Sequence, residues 1–400
     1  MSCRECGRTR ELGPFYACED CFGPLEVVYD FPALTRADIE AGPENMWRYA
    51  RLLPVPSDIA GRPTLEPGYT RLIRADNLAH ALGMRRLWVK DDRGNPTHSF
   101  KDRVVAVALA ASLEMGFKVL ACPSTGNLAN AVAAAAARAG VRSVVLVPSD
   151  LEQQKIITTA VYGGTFVLVD GNYDDVNRLA SELAGEHEDW AFVNVNVRPY
   201  YAEGSKTLGF EIAEQLGWRL PEQVVVPIAS GAQLTKVDKG FRELAHLGLV
   251  EETSWRVFGA QATGCSPVSA AFAAGQDVVR PVRPATIAKS LAIGNPADGP
   301  YVLDTVRRTG GAVADVSDEE IVDSIKLLAA TEGVFAETAG GVTVGVLRKL
   351  LASGQLDPAA ETVIINSGDG LKTLDAVAPA LPELPVVRPT LESFRAAGVA

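Results

Sequence analysis

One lysine and two pairs of cysteines are the residues of this chain whose types and spacing point most directly to chemistry. Lys101 lies in the run Asn95-Pro-Thr-His-Ser-Phe-Lys-Asp-Arg103. Ser99 and Asp102 have the Ser-x-x-Asp spacing of a capping box, and apolar residues follow at Val104, Val105, Val107, Leu109 and Leu113. That pattern predicts a buried helix with Lys101 in its first turn, where the helix dipole disfavours a cation. A neutral lysine amine is a nucleophile that forms Schiff bases with carbonyl compounds. An ordinary solvated lysine is the alternative reading.

The cysteines stand as Cys3-x-x-Cys6 and Cys18-x-x-Cys21, with eleven residues between the pairs. Two such knuckles can close a tetrahedral site of four thiolates, leaving no open position for catalysis. The expected metal is a structural zinc, holding a ribbon over residues 1–28 that is too small to bury a core of its own. Incidental reduced cysteines are the alternative, and disulfides are disfavoured if the chain is cytosolic. Cys122 and Cys265 stand in apolar or loop contexts and are expected only to pack.

The elements that must position these residues follow from periodicity. Residues Val27–Pro67 are proline-dotted and irregular and are expected to wrap the main body. From Arg86 onward, short β-rich runs alternate with helical patterns, which predicts parallel sheets in an α/β fold. Strands are expected at Leu87–Lys90, Val119–Ala121, Ser143–Val147, Thr165–Val169, Ala191–Val195, Gln223–Pro227, Trp255–Gln261 and Thr362–Asn366. Helices fit between them at Asn127–Ala139, Leu151–Tyr162, Tyr173–Ala184, Ala202–Gly217 and Leu234–His246. A further capping box, Ser317-Asp-Glu-Glu320, opens a helix with apolar Ile321, Ile325 and Leu328 and an end at Gly333.

Besides the Ser99 turn, three strand-to-helix junctions are rich in small polar residues and glycine: Ser124-Thr-Gly-Asn127, Ser230-Gly-Ala-Gln233 and Ser367-Gly-Asp-Gly370. In an open α/β sheet the carboxyl ends of the strands form the ligand crevice. Turns of this kind leave backbone N–H groups free to cradle an anion at a helix start. Four of them imply a ligand with more than one anionic group.

Composition removes several function classes. The net charge of −11 and pI near 5.0 argue against general affinity for nucleic acid or anionic membranes. The apolar runs are too short to span a bilayer. The first residues, Met1-Ser-Cys-Arg-Glu, are polar, so a cytoplasmic location is expected. Dinucleotide, Walker A, zinc-protease and α/β-hydrolase motifs do not occur in the sequence. Of the four histidines, only His98 lies near Lys101 in sequence.

Taken together, the motifs resemble those of the threonine synthase family of pyridoxal-phosphate enzymes. Pro96-Thr-x-Ser99-Phe-Lys101-Asp-Arg103 is similar to its cofactor-lysine motif, and Ser124-Thr-Gly-Asn127 to its substrate and cofactor loop. Glu203-Gly-Ser-Lys-Thr207 resembles its Glu-Gly-Gln-Lys-Thr element, and Ser367-Gly-Asp-Gly-Leu-Lys372 its C-terminal Thr-Gly-x-Gly-Leu-Lys segment. The resemblance implies the tryptophan-synthase-β-like fold: two open parallel-sheet domains, here with the N-terminal zinc ribbon. A smaller α/β domain at 119–205 is expected to be inserted in a larger one formed by 29–118 and 206–400. A homodimer is also implied.

The same resemblance assigns roles. Lys101 would hold pyridoxal phosphate as a Schiff base and later shuttle protons. Asn127 would hydrogen-bond the cofactor's phenolic oxygen, and Ser367 would face its pyridine nitrogen. Ser230, Gly231, Ala232 and Gln233, within the loop from Ala229, would cradle its phosphate. Ser124 and Thr125 would meet the substrate carboxylate, while Asn196 and Arg198 would serve the substrate phosphate. Two departures stand out. The phosphate loop reads Ala229-Ser-Gly-Ala-Gln233 where the family commonly has Gly-Asn-x-Gly-Asn. In Val195-Asn-Val-Arg-Pro-Tyr-Tyr201, an arginine sits at 198 and a tyrosine replaces the family's later arginine. Arg198 is read either as an anion grip or as a surface ion pair.

The implied reaction converts O-phospho-L-homoserine and water to L-threonine and phosphate. Cysteate synthase and serine/threonine dehydratase chemistry use the same fold and remain alternatives. A non-catalytic zinc-ribbon binding protein is the alternative from a different class.

Overall fold

The computed structural model describes residues 1–124, 126–151, 153–382 and 384–398. Its strands are β1 (Ser2–Cys3), β2 (Leu25–Glu26), β3 (Arg71–Arg74), β4 (Arg86–Asp91), β5 (Val119–Pro123) and β6 (Arg142–Pro148), followed by β7 (Thr165–Val169), β8 (Trp190–Phe192), β9 (Gln223–Pro227), β10 (Arg256–Ala262), β11 (Val313–Val316) and β12 (Glu361–Asn366). They form a six-stranded sheet of order β11-β10-β9-β12-β4-β3 and a four-stranded sheet of order β7-β6-β5-β8. All neighbours in the two sheets are parallel except β3 against β4. The protein is therefore an α/β fold with two open, mainly parallel sheets. β1 and β2 pair separately as a short antiparallel ribbon beside the cysteines.

Burial explains which strands were legible. β9 and β12 are buried at every position, the continuous apolar run of a strand covered on both faces. β3 and β11 escaped the sequence reading because each has only four residues and sits at a sheet edge. The expected strand Ala191–Val195 is shorter and earlier, Trp190–Phe192. Beyond it, the Asn196 side chain folds back onto the chain and ends the ladder.

The helix Asn127–Ala139 has the expected bounds, and the Ser317–Glu320 capping box forms with Gly333 as the left-handed C-cap. The expected helix Ala202–Gly217 is instead two, Arg198–Glu203 and Lys206–Gln215. At the break, a Cβ on Gly204 would lie 2.6 Å from the Arg103 carbonyl oxygen and 2.7 Å from Val104 Cα. Close backbone approach to the helix Lys101–Glu114 is the reason for glycine there.

Two buried charge networks tie the pieces together. Arg103 has no exposed side chain and is paired with Asp92 at 2.8 Å and with Glu211. Its remaining donors reach Thr207 and Thr70, each at 3.0 Å. Lys90 adds a second cation on Glu211 at 2.6 Å. Burial pushes the Glu211 carboxyl up, but Arg103 and Lys90 outweigh it and hold it at about 2. In the second network, buried Glu203 accepts from Lys236 at 2.6 Å, Lys239 at 2.9 Å and the Tyr29 hydroxyl at 2.6 Å. Lys206 joins Glu203 to Glu243 and donates to the Leu52 carbonyl. Through Tyr29 and Leu52, this network fastens the irregular segment Val27–Pro67 to the body.

Breaking a buried pair leaves an uncompensated charge, which costs about 3–5 kcal/mol. Glu211→Gln is expected to lose stability of that order in denaturant unfolding. A carboxylate held at about 2 instead of 4.5 contributes stability above pH 4.5 that is lost as pH falls toward 2. The acid limb of the wild-type stability curve in that window should therefore flatten in Glu211→Gln.

Candidate active site

Three of the four small-residue junctions flank a single cleft at the carboxyl ends of the strands, and the fourth buttresses it. Lys101 is the first residue of the helix Lys101–Glu114. The Ser99–Asp102 capping box is not formed. Phe100 is the N-cap residue, and the Ser99 hydroxyl is buried with no hydrogen-bond partner. Asp102 turns back instead to accept from the Thr97 N–H and hydroxyl, both at 2.7 Å. Burial raises its carboxyl to about 6 against those two bonds. Lys372 donates to the Thr97 carbonyl at 2.6 Å, and burial lowers its ammonium to about 8. The loop after β12 pairs with the same turn: the Phe100 N–H donates to the Ser367 carbonyl at 2.8 Å, and the Asp369 N–H to the His98 carbonyl at 3.1 Å. The turn before Lys101 is thus clamped by backbone, a carboxylate and a lysine.

The half-buried Lys101 Nζ donates to the Tyr201 hydroxyl at 2.9 Å. Across the cleft, Ser124 Oγ accepts from the N–H groups of Gly126 at 3.0 Å and Ala129 at 2.9 Å, which fixes the start of the helix Asn127–Ala139. Thr125 lies outside the described residues. Asn127 Nδ2 donates to Glu337 at 2.8 Å, and the Ser367 hydroxyl donates to the same carboxylate at 3.2 Å. Asn127 Oδ1 is buried and unpartnered; it is an acceptor at the cleft wall with a bond still to make.

The third junction is the turn Ala229–Gln233, which opens the helix Ala232–His246. Gly231 has φ +99°, and a Cβ there would lie 2.7 Å from Val302 Cγ2 and 2.9 Å from Asp298 Cβ. Ala229, Ser230 and Ala232 line the cleft together with Lys101, Ser124, Asn127, Arg198 and Tyr201. Gln233 does not line it, and its Nε2 is buried without a partner. Ser367 stands behind the wall, reached through Glu337. Arg198 lines the cleft while paired at 2.5 Å with the largely buried Asp298, so its ion pair sits at the cleft wall and not on the surface. Asn196 is the clear correction. Its Oδ1 accepts from the Phe192 N–H at 2.8 Å and its Nδ2 donates to the Trp190 carbonyl at 3.0 Å. With its amide spent on closing that turn, Asn196 takes no part in the cleft.

The four N-terminal cysteine sulfurs lie within 4.8 Å of one another. Cys3 and Cys21 are 3.4 Å apart and Cys6 and Cys18 3.8 Å. A tetrahedral zinc with bonds of about 2.3 Å sets its sulfurs about 3.8 Å apart, so the donor set fits. The Cys6 backbone N–H, opposed by burial, lowers the Cys3 thiol to about 7, while neighbouring thiols raise Cys21 to about 12 against the Gly23 N–H. Crowded thiols of this kind resist ionising together until a cation joins them.

The family described as pyridoxal-phosphate dependent enzyme matches residues 63–368. The chain belongs to this family of enzymes, and the Lys101 cleft is where its two sheets bring their loops together. Among curated relatives, threonine synthase from Methanocaldococcus jannaschii is 37% identical over 94% of this chain and 93% of its own length. Threonine synthase from Methanosarcina acetivorans is 35% identical over 99% and 98%. That from Mycobacterium tuberculosis is 34% identical over 85% and 91%. Within the pyridoxal-phosphate enzymes the chain therefore falls in the threonine synthase family. Solved structures share the fold. Diaminopropionate ammonia lyase from Escherichia coli aligns with TM-score 0.66 at 21% identity over 86% of this chain and 92% of that one. Threonine deaminase isoform 2 from Solanum lycopersicum aligns with TM-score 0.64 at 20% identity over 89% and 99%.

Three side chains at the cleft were not read from the sequence as site residues: Tyr201, Glu337 and Asp298. Tyr201 carried a signal, since it stands where the family commonly has arginine. Glu337, the N-cap residue of the helix Thr338–Ala352, looks in sequence like any acidic residue at a helix start. Asp298 carries no local signal, because the partners of its carboxylate lie 100 and more residues away.

Gly231→Ala tests the turn. Its positive φ and the approach of Asp298 and Val302 make any side chain strained, at about 1–3 kcal/mol. Titration with pyridoxal phosphate, followed by absorbance, is expected to show affinity lowered roughly ten-fold or more, with little change in the far-ultraviolet dichroism.

Proposed function

We infer that this chain converts O-phospho-L-homoserine and water to L-threonine and phosphate, the threonine synthase reaction. The observation that carries the reading is Lys101, whose amine faces a cleft walled by two helix starts, in a chain related to threonine synthases over nearly its whole length. Helix N-termini favour anions, and the substrate and cofactor both carry phosphate.

The residues present fit pyridoxal phosphate. Lys101 would hold it, the turn Ala229–Gln233 would receive its phosphate through backbone N–H groups, and the unpartnered Asn127 Oδ1 marks a polar wall for its ring. Ser367 would lie toward its pyridine nitrogen. When bound, the cofactor supplies an electron sink for charge developing at the substrate α-carbon. The protein's own groups do the rest. The freed Lys101 amine would carry one proton at a time: the α-proton and then a β-proton leave the substrate through it. After phosphate departs, protons return at the γ-carbon and, once water has added its hydroxyl at the β-carbon, at the α-carbon, the third proton leaving with the phosphate. Tyr201, hydrogen-bonded to Lys101 at 2.9 Å, orients that amine. Glu337 holds Asn127 in place. The helix start at Ser124 would meet the substrate carboxylate, a role proposed for Thr125 as well, and Arg198 would meet the phosphate with a bidentate cation.

We further propose that residues 119–205 form the smaller domain within 29–118 and 206–400; the strands of the four-stranded sheet all fall in that interval. The cysteine cluster is proposed as a structural zinc site over residues 1–28, and the protein as a cytoplasmic homodimer. No helix among the described residues is long and apolar enough to cross a membrane.

Purified protein should be yellow and lose its colour in Lys101→Ala, with borohydride attaching the cofactor to Lys101 in the wild type. Lys101→Ala should release phosphate from O-phospho-L-homoserine roughly 10²–10⁴-fold more slowly. Threonine must appear with the phosphate. Turnover only of O-phosphoserine with sulfite, or of serine or threonine, would replace this reading by the cysteate synthase or dehydratase one. Elemental analysis is expected to find one zinc per chain, and a chelator that strips it should lower the melting temperature. A chain with no zinc when purified in its presence would sink the metal proposal.

A further inference from the structure

The Cys3–Cys6 knuckle and the cleft meet at one carboxylate. Asp298 is largely buried, with 7% of its side chain exposed, and its two oxygens face two different arginines. Oδ2 is bound by Arg198 at 2.5 Å and Oδ1 is approached by Arg4 at 3.5 Å. Arg4 and Glu5 are the two residues between the knuckle's cysteines. Arg4 also stacks on the Tyr301 ring, 3.5 Å from its centroid, and the Tyr301 hydroxyl donates to Glu5. These contacts press the knuckle onto the start of the helix Gly299–Arg308. Asp298 is in turn joined to the phosphate turn, its N–H donating to the Ser230 carbonyl at 2.8 Å.

Charge accounting gives Arg4 a task. A substrate phosphate that recruits Arg198 takes from Asp298 its nearer counter-ion. A buried carboxylate left alone beside an incoming anion is strongly unfavourable. Arg4 already stands at the other oxygen, anchored by an aromatic face and by the knuckle's backbone, and does not line the cleft itself. Building on the substrate reading above, we propose that Arg4 is a positioning residue for the substrate anion: it neutralises Asp298 so that Arg198 can exchange that carboxylate for the phosphate. The cysteine ribbon is then part of the anion-recognition machinery.

The test uses the holoenzyme and two readouts, binding of inorganic phosphate by calorimetry and steady-state kinetics with O-phospho-L-homoserine. Arg4→Gln is expected to raise the phosphate Kd and the substrate KM about ten-fold while kcat changes less than about two-fold. Arg4→Lys should recover part of the loss. The double variant Arg4→Gln/Asp298→Asn should recover most of it, because no carboxylate remains to be neutralised; a merely structural role for Arg4 predicts no such rescue. Arg8→Gln, on the exposed side of the ribbon and paired with Asp20, should behave as wild type. Unchanged Kd and KM in Arg4→Gln, or a double variant as weak as the single one, overturns the inference. Wild-type protein that binds phosphate with this Arg4 dependence but does not turn over O-phospho-L-homoserine would sink the substrate reading and leave the Arg4 inference standing.

Discussion

A guanidinium without solvent, two residues beyond Lys101, is the constraint on which the site depends. Arg103 remains charged in any protein environment and is costly to bury without partners. Its carboxylate and hydroxyl partners come from the turn just after β4 (Asp92), from the approach to β3 (Thr70) and from the helix that follows the four-stranded sheet (Thr207 and Glu211). The farthest is 108 residues away. Satisfying Arg103 forces these segments together and sets the position of the helix Lys101–Glu114. Lys101 stands where it does because its neighbour two places on has no other place to go.

Around that anchor, two further carboxylates divide the cleft between them. Glu337 joins Asn127, from the four-stranded side, to Ser367, from the six-stranded side. Asp298 joins Arg198 to the phosphate turn and, through Arg4, to the cysteine ribbon. Each carboxylate binds groups from different parts of the chain, so a displacement of one sheet against the other is felt at both. Tyr201 adds a third link, since the helix that follows β8 hands its hydroxyl to Lys101. These few bonds, set into apolar packing from both sheets, explain how an open fold holds a lysine amine in a defined direction.

The legible parts of the protein were those governed by local physics. β9 and β12 are continuous apolar runs because both faces are covered, and the helix Asn127–Ala139 is bounded by glycine on either side. Ser99 and Asn196 show the limit of such reading. Ser99 has the spacing of a cap, yet Thr97 competes for Asp102 and wins with two hydrogen bonds. Asn196 sits in a segment whose family motif serves an anion, yet its amide satisfies two backbone groups at the end of β8. In both cases a polar side chain had several chemically equivalent partners, and only the folded backbone chose among them.

From residues alone, the chain determined its class, its α/β alternation, its candidate lysine and its four-thiol cluster, because each of these is written in spacing within a few dozen residues. The tertiary structure decided which polar groups meet. Glu337 with Asn127, Asp298 with Arg198 and Arg4, and Tyr201 with Lys101 are pairs separated by 100 to 294 residues. No periodicity encodes them. They form because burying the two sheets leaves each of these charges and hydroxyls few accessible partners, and an unpartnered one would cost more than the fold can spare.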